Sequence, residues 1–387
     1  MKSRLSSFWV TLLILGSPFL MISSVVVAAP TFKIEILPRF AHETFLPISI
    51  NDYGDIAGVA FGRAAVVSGG NIALVPEVEG IGSPWLALDI NDSFVVVGAM
   101  HVSSQAYHSS AYVYDGTLRD LGTLGGTSSA ANAVNTHGGV VGVSFNQDGV
   151  ERAFIYSGSS MRDLGTPGTS RSTARDINIK GQVTGSYEDS SGNLLAYMMD
   201  GDNFIVLGAF ENAGHWQMSD GFAINDFGHV VGRSMRMFDG FGNDRAVLWV
   251  DGKMVDLGSL SSRFGHSYSE ALDINNSGQI VGVSAPAVFT GYTTAFLYEN
   301  GEMFELKELL EPGAIGWDLW SARSINNAGQ IVGYGRLNDE IHSFVMTPIA
   351  NAIDEPRTLL LLLVGGSWLL FWRILRGSHA ESLINAP

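Results

Sequence analysis

Short apolar runs recur along the chain, and each of them follows an asparagine turn. The stretch "INNSGQIVGVS" begins at Ile274, and "INNAGQIVGYG" begins at Ile325. The same pattern occurs seven times, with its asparagines at Asn51, Asn91, Asn135, Asn178, Asn225, Asn275 and Asn326. A spacing of 40 to 51 residues is typical of propeller blades rather than of helical solenoids.

Each repeat contains four short stretches in which apolar and polar residues alternate, as half-buried strands require. The first stretch ends at the Ile-Asn step and the second is the "GQIVGVS" run. The third resembles "TAFLY" and the fourth resembles "MVDLG". The pattern therefore predicts an all-β fold, a seven-bladed β-propeller of four-stranded blades.

The Asn-x-x-Gly step predicts a tight hairpin between the first and second strands. The Asn side chain can accept a hydrogen bond from the backbone two residues on, and Gly accepts a positive φ. Phe94 occupies this glycine position in the second repeat, so we expect that hairpin to be strained or of another type.

Two further positions of the repeat carry small residues. A glycine follows every Asn by seven residues, and we expect it to admit the backbone of the neighbouring sheet. A small or compact residue precedes every Asn by four, and we expect it to face a crowded central axis. These compact residues are Pro47, Ala87, Ala131, Ala174, Gly221, Ala271 and Ala322.

The repeat register predicts how the ring closes. The seventh repeat ends after its third strand, at "HSFVMTP". Before the first repeat, "TFKIEILPRF" has the pattern of a fourth strand, but the first three strands of its blade are missing there. We therefore expect residues 31–38 to pair beside Ser343–Met346 and to complete the last blade.

The amino-terminal segment has the layout of a secretory signal peptide. Lys2 and Arg4 precede a long apolar run that ends in small residues. The predicted organisation is a signal peptide at 1–29, the propeller at 30–348, and a linker, hydrophobic helix and tail at 349–387. An uncleaved membrane anchor is the alternative for the first segment.

The carboxyl-terminal segment "DEPRTLLLLLVGGSWLLFWRILRG" resembles the PEP-CTERM sorting signal. The matching residues are Asp354, Glu355, Pro356, Arg373 and Arg376. The resemblance implies membrane insertion through a hydrophobic helix and an exosortase-type processing enzyme as a partner. Asp354 replaces the family's first proline, and eleven residues follow Arg376. A buried core helix is the alternative.

Residues 31–348 resemble the HAF-type extracellular repeat. Its His-Ala-Phe step corresponds here to Arg152-Ala153-Phe154, Thr294-Ala295-Phe296 and His342-Ser343-Phe344. The resemblance implies an exported repeat protein with no defined activity.

Composition narrows the classes of function. The formal net charge of −16 argues against a nucleic-acid partner, since phosphates would be repelled. The chain has no cysteine, so thiolate metal sites and disulfides are excluded. It also lacks the HExxH, GxSxG and Walker motifs.

Three aspartates form the first candidate site. Asp89, Asp176 and Asp273 each precede a repeat Asn by two residues, and they could gather near the axis of a propeller. Oxygen ligands of this kind suit Ca²⁺. The alternative is that each carboxylate is separately solvated or hydrogen-bonded. No other cofactor is expected.

Aromatic and histidine side chains form the second candidate site, in the loops that enter each innermost strand. Those nine residues before the Asn are His42, Trp216, His266 and Trp317. Those six residues before it are Phe45, Trp85 and Trp320. On one face of a propeller they would form a partly exposed platform for a glycan or a peptide. Packing between blades is the alternative.

These observations predict a protein of the cell envelope, secreted or attached to the surface, that is a non-catalytic binding or structural module and not an enzyme. The expected ligand is an extracellular glycan or protein. The alternative is a carbohydrate-active hydrolase or lyase that uses carboxylates at the propeller channel.

Overall fold

The computed structural model describes residues 29–102, 108–167, 171–211, 216–238, 241–260, 268–285 and 293–349. The chain divides into the unit Phe32–Pro348 and a second unit made of Met1–Thr31 and Ile349–Pro387. Of the second unit, only 29–31 and Ile349 are described. The predicted signal peptide and the predicted sorting signal with its helix therefore lie outside the described residues, apart from Ala29.

Seven four-stranded antiparallel sheets form the blades of a β-propeller, as the repeat predicts. β1 (Thr31–Ile36) precedes a small hairpin of β2 (Arg39–Phe40) and β3 (Glu43–Thr44). From the axis outwards, blade 1 contains β4 (Leu46–Ile50), β5 (Ile56–Ala60), β6 (Arg63–Ser68) and β7 (Asn71–Leu74). Blade 2 contains β8 (Gly82–Ile90), β9 (Val96–Val102), β10 (Ser109–Tyr114) and β11 (Leu118–Gly122). Blade 3 contains β12 (Gly125–Val134), β13 (Val140–Asn146), β14 (Glu151–Ser157) and β15 (Ser160–Asp163).

The remaining blades repeat this order. Blade 4 contains β16 (Ser172–Ile177), β17 (Val183–Glu188), β18 (Leu194–Asp200) and β19 (Asn203–Val206). Blade 5 contains β20 (Ser219–Ile224), β21 (Val230–Phe238), β22 (Phe241–Val250) and β23 (Lys253–Gly258). Blade 6 contains β24 (Tyr268–Ile274), β25 (Ile280–Ala285), β26 (Thr294–Glu299) and β27 (Glu302–Glu305). Blade 7 contains β28 (Trp317–Ile325), β29 (Ile331–Leu337), β30 (Glu340–Ile349) and, outermost, β1.

Helical structure is scarce. Within the described ranges the one helix is a 3₁₀ turn, Leu306–Leu309, between blades 6 and 7. No helix in this part of the chain is long and apolar enough to cross a membrane.

Closure by the amino-terminal strand is confirmed. β1 is the neighbour of β30 at the outer edge of blade 7, and the amide of Leu37 donates to the Ser343 carbonyl at 2.9 Å. Phe32 is fully buried among residues of blades 6 and 7, including Trp317 and Phe344. The strand thus contributes both backbone pairing and core packing to a blade whose other strands come from the far end of the chain.

The described residues form seven hydrophobic core clusters, each between two neighbouring blades. The small residues four positions before each Asn belong to this packing: Ala87, for example, lies in the same cluster as Ala57 and Ala64 of blade 1. They do not line the central channel. The prediction that they face the axis was wrong, because a β-bulge follows each of them and changes the side of the strand that faces inward.

The Asn-x-x-Gly hairpins are confirmed. Gly278 has φ +77°, and the Asn275 carboxamide oxygen accepts the amides of Ser277 and Gln279 at 3.0 Å each. Phe94 adopts φ +58°, so the second repeat keeps the same turn with an L-residue in a left-handed conformation. Such a conformation is unfavourable for a bulky side chain.

The repeat asparagines also link the blades to one another, which the repeat pattern alone does not predict. Each carboxamide nitrogen donates to the backbone carbonyl of the next asparagine around the axis. Asn326 of blade 7 completes the circle by donating to Asn51 at 2.9 Å. The other six bonds run from Asn51, Asn91, Asn135, Asn178, Asn225 and Asn275. We call this closed circle of buried side chains the asparagine ring.

The glycine seven residues after each Asn is required by its own blade. A Cβ on Gly142 would collide with the Ala130 carbonyl oxygen of the innermost strand and with the ring of Phe154. The collision with a carbonyl oxygen of the innermost strand recurs in all seven blades. The expectation that the neighbouring sheet makes the close approach was therefore wrong, since the approaching backbone is the bulged strand beside the glycine.

Candidate functional site

The innermost strands enclose a central channel with a volume of about 850 Å³. Each of them carries a β-bulge between the residues four and two positions before the Asn. The residue between these two has no partner on the second strand, and it lines the channel. We call these seven residues the channel ring: Ile48, Leu88, Asn132, Arg175, Phe222, Leu272 and Arg323.

The three predicted aspartates do line the channel, one in each of blades 2, 4 and 6. Each carboxylate bridges two blades through backbone amides. Asp176 accepts from Ile177 of its own blade at 2.7 Å and from Ile224 of the next blade at 2.8 Å. Asp273 accepts from Ile274 and Ile325 in the same way, at 2.8 Å each.

The spacing of these aspartates has a structural reason. Three carboxylates cap six of the seven amides that precede the repeat asparagines, because each carboxylate accepts two of them. The seventh amide, of Ile50, is bonded instead to the hydroxyl of Ser324 at 3.3 Å. An odd number of blades cannot be capped by pairs alone, so a serine takes the remaining position.

Burial and mutual repulsion alter the ionisation of the aspartates. Burial, the largest cause, and the charges of Asp89 and Asp273 together raise the pKa of Asp176 to about 7, although the bonds from the Ile224 and Ile177 amides oppose the rise. Burial also raises the pKa values of Asp89 and Asp273. The carboxylates are therefore close enough to affect one another, yet their oxygens are already engaged by the backbone.

These contacts do not support the metal hypothesis. Among the described residues, no group of three or more His, Asp or Glu side chains is arranged to hold a metal ion. Separate hydrogen bonding of the carboxylates, the alternative interpretation, accounts for all three positions. Calcium binding stays a prediction without structural support.

The raised pKa values predict that stability falls as pH rises. A carboxyl whose pKa is higher in the folded state stabilises that state below its unfolded pKa of 3.8, and this contribution is lost as pH rises to about 7. We expect the asparagine variant of Asp176, which cannot titrate, to reduce the fall in unfolding free energy between pH 5 and pH 8 by about 2 kcal/mol. Denaturant unfolding of both proteins over this range tests the prediction. Parallel pH profiles for wild type and Asp176→Asn would contradict it.

A charged and aromatic cluster lies on the channel wall across blades 4, 5 and 6. Phe222 is half-buried, and the guanidinium groups of Arg175 and Arg233 each lie 5.6 Å from the centroid of its ring. Arg175 forms a 3.0 Å ion pair with Asp220, whose side chain is almost completely buried. This arrangement places two cations over one aromatic ring at the channel wall.

Carboxylates of two blades hold the second arginine. The Nη1 atom of Arg233 lies 3.0 Å from Asp244 of the same blade and 2.6 Å from Glu270 of blade 6. Burial raises the pKa of Asp244, although Arg233 opposes this effect. The orientation of Arg233 is thus fixed before any ligand arrives.

Arg323 of blade 7, the blade that follows this cluster around the channel, has a different environment. The Arg323 side chain is half-buried. Arg323 occupies the same position of the repeat as Arg175, and it lines the channel. No ion pair or hydrogen bond connects its side chain to another described residue. The channel wall therefore carries one guanidinium charge that no described carboxylate neutralises.

The predicted aromatic platform is only partly accessible. Phe45 is 0% exposed and packs between blades 7 and 1, and Trp317 is 9% exposed and packs edge-on against Phe344. Both side chains belong to the core between blades, so their contact with a ligand stays a prediction without structural support. Trp216 is 55% exposed, and His42 is exposed in the β2–β3 turn. His266 lies outside the described residues.

Trp85 and Trp320 are half-buried. Each lies at a second bulge of its innermost strand, and Trp85 stacks on His101 with ring centroids 5.7 Å apart. Both tryptophans are accessible in part, but each packs within its own blade.

Blades 3 to 6 have a serine at the position six residues before the Asn, where blades 1, 2 and 7 have an aromatic residue. The bonds of these serines show what this position contributes to packing. Ser129 accepts the amide of Ala111 at 2.8 Å and donates to the Gly122 carbonyl at 2.6 Å, both in blade 2. Ser219 and Ser269 make the same pair of bonds to the preceding blade. The position therefore connects adjacent blades, by hydrogen bonds where it is serine and by apolar packing where it is Phe45.

Comparison with known proteins shows distant similarity. A family model described as "Protein of unknown function (DUF3466)" matches residues 200–338. No match to a curated protein was found.

Among solved structures, the extracellular domain of a hybrid two-component system from B. thetaiotaomicron is 9% identical, with a TM-score of 0.48, and the match covers 81% of this chain and 40% of that one. TolB from Acinetobacter baumannii is 15% identical, with a TM-score of 0.38 and coverages of 55% and 51%. Trypanosoma rangeli sialidase is 12% identical, with a TM-score of 0.34 and coverages of 98% and 64%. The chain spans less than two thirds of the length of each. These similarities do not indicate what it binds.

Proposed function

We propose that this protein is a non-catalytic binding module of the cell envelope and that it holds an extracellular chain, a glycan or a peptide, at the channel wall. The cluster around Phe222 is the observation that carries the proposal. Apolar surface and fixed charges converge there on a cavity whose size suits a ligand site. The layout of both chain ends supports export and attachment to the membrane.

A binding screen tests this function. We expect the purified protein to retain members of a combined glycan and peptide array, and Phe222→Ala to lose that retention while its melting temperature changes by only a few degrees. Phe227→Ala is the matched control, since this ring belongs to the same blade but is 65% exposed in the asparagine turn. Failure of the protein to retain any array member, or unchanged retention by Phe222→Ala, would refute a binding site at this position.

One observation favours the second candidate function, a carbohydrate-active hydrolase or lyase. Asp244 and Glu270 contact the same nitrogen of Arg233, so the two carboxylates are close together, and glycoside hydrolysis uses pairs about 5–10 Å apart. Against this role, Arg233 forms ion pairs with both groups, and Asp244 does not line the channel. Release of reducing ends from a polysaccharide by wild type, but not by Glu270→Gln, would favour the enzyme.

A further inference from the structure

The channel ring has a composition that suits one kind of ligand. Four of its members are apolar, two are arginines, and none is a carboxylate. Arg323 stands between Leu272 of blade 6 and Ile48 of blade 1 around this ring. An unpaired guanidinium between two aliphatic side chains matches a ligand that carries a carboxylate next to an apolar group.

The aromatic side chain of the ring is poorly placed for a sugar. Stacking of a sugar uses an aromatic face, and a sugar at Phe222 would have to compete with the guanidinium groups of Arg175 and Arg233, each 5.6 Å from the centroid of its ring. The other apolar members, Ile48, Leu88 and Leu272, are aliphatic. These features favour a peptide over a glycan.

The three channel aspartates, each next to a member of the channel ring in the sequence, form no ion pair with Arg323. Their oxygens accept backbone amides and serine hydroxyls, which holds them away from ion pairing. A half-buried guanidinium without a counter-charge is unfavourable, and a bound anion would relieve that cost.

We propose that the channel ring binds the free carboxyl terminus of a peptide that ends in an apolar residue. The terminal carboxylate lies on Arg323, and the last side chain packs against Leu272 and Ile48. This inference rests on the proposed binding function and specifies its ligand. The bidentate geometry of the guanidinium fork supplies the recognition of the carboxylate.

Fluorescence anisotropy with defined probes tests the proposal. The probes are an amino-terminally labelled Gly-Ser-Ala-Ile-Leu peptide with a free carboxyl terminus, the same peptide as its amide, and a labelled oligomer of uronic acid. We expect the free-acid peptide to bind, and amidation to weaken binding by at least about tenfold. Arg323→Gln should weaken binding of the free acid to the same extent and should leave binding of the amide unchanged.

Arg162→Gln is the matched control. Arg162 is exposed on β15 and, like Arg323, has no ion-pair partner among the described residues, so its replacement should not affect binding. Equal binding of acid and amide, or equal losses in both arginine variants, would overturn the proposal. Binding of the uronic acid oligomer alone would also overturn it, while leaving the binding function intact. If neither probe class binds, and the array retains nothing, the binding function itself fails.

Discussion

Phe32→Ala is expected to lower the melting temperature of the whole propeller, by roughly 10 °C. Phe32 is the buried anchor of β1, and truncation of a buried phenylalanine typically costs about 3–5 kcal/mol. Because β1 closes a ring, a loosened strand exposes the edge of β30 and the interface between blades 6 and 7. We therefore expect one cooperative transition at lower temperature, measured by calorimetry, rather than local loss of one strand.

Lys33→Ala provides the control within the same strand. Its side chain is 55% exposed and pairs with Glu35, and exposed ion pairs contribute little to stability. Its melting temperature should stay within about 2 °C of wild type. A Phe32→Ala protein as stable as this control would show that closure by β1 does not hold the ring together.

Blade number and turn type could be predicted from the sequence because both repeat along it, and closure could be predicted because the last repeat lacks one strand. The seven copies of the repeat, 40 to 51 residues apart, give the number of blades. The last repeat lacks a fourth strand, so another part of the chain must supply it. The turns depend on local conformation alone, and Gly278 and Phe94 show the same left-handed backbone with different side chains. Each of these features is determined within one repeat or by counting repeats.

The residues that face the channel could not be predicted from the alternation of apolar and polar residues along the innermost strands. A β-bulge adds one residue to each innermost strand, so the residues before it face the opposite side from the one that strict alternation, counted back from the Asn, predicts. The sequence does contain a signal for the bulge, the glycine seven residues after each Asn. Gly142 is required because the Ala130 carbonyl comes close at that point.

The candidate site required contacts between blades. Arg175, Phe222 and Glu270 belong to three different repeats, and nothing in the period indicates which side chains meet across the interfaces. Alignment of the repeats on the Asn would have placed Arg175, Phe222 and Arg323 at one position, which identifies the ring but not its contacts. By contrast, the choice of aromatic side chains near the channel as ligand contacts included Phe45 and Trp317, which are buried. Core packing and ligand stacking use the same aromatic side chains, so the sequence alone does not distinguish them.

The asparagine ring is expected to be the most sensitive polar feature of the fold. Asn225 is buried, its carboxamide oxygen accepts the amides of Phe227 and His229, and its nitrogen donates to the Asn275 carbonyl at 3.2 Å. Asn225→Ala removes all three bonds and leaves buried groups without partners, each at a cost of about 1–3 kcal/mol. We expect a total loss of about 4 kcal/mol in unfolding free energy, measured by denaturant titration.

Asn225→Asp separates the two roles of the side chain. Aspartate keeps both acceptor bonds of the turn, but it cannot donate to Asn275 and, when ionised, places a negative charge against that carbonyl. If the ring between blades matters, Asn225→Asp should be destabilised near neutral pH and should recover part of the loss near pH 4, where the carboxyl can be protonated and donate. Asn203→Ala, an exposed asparagine on β19, should change stability by no more than about 0.5 kcal/mol. An Asn225→Asp protein as stable as wild type at both pH values would mean that the turn alone requires asparagine, and that the closed circle of side-chain bonds adds nothing to the cohesion of the seven blades.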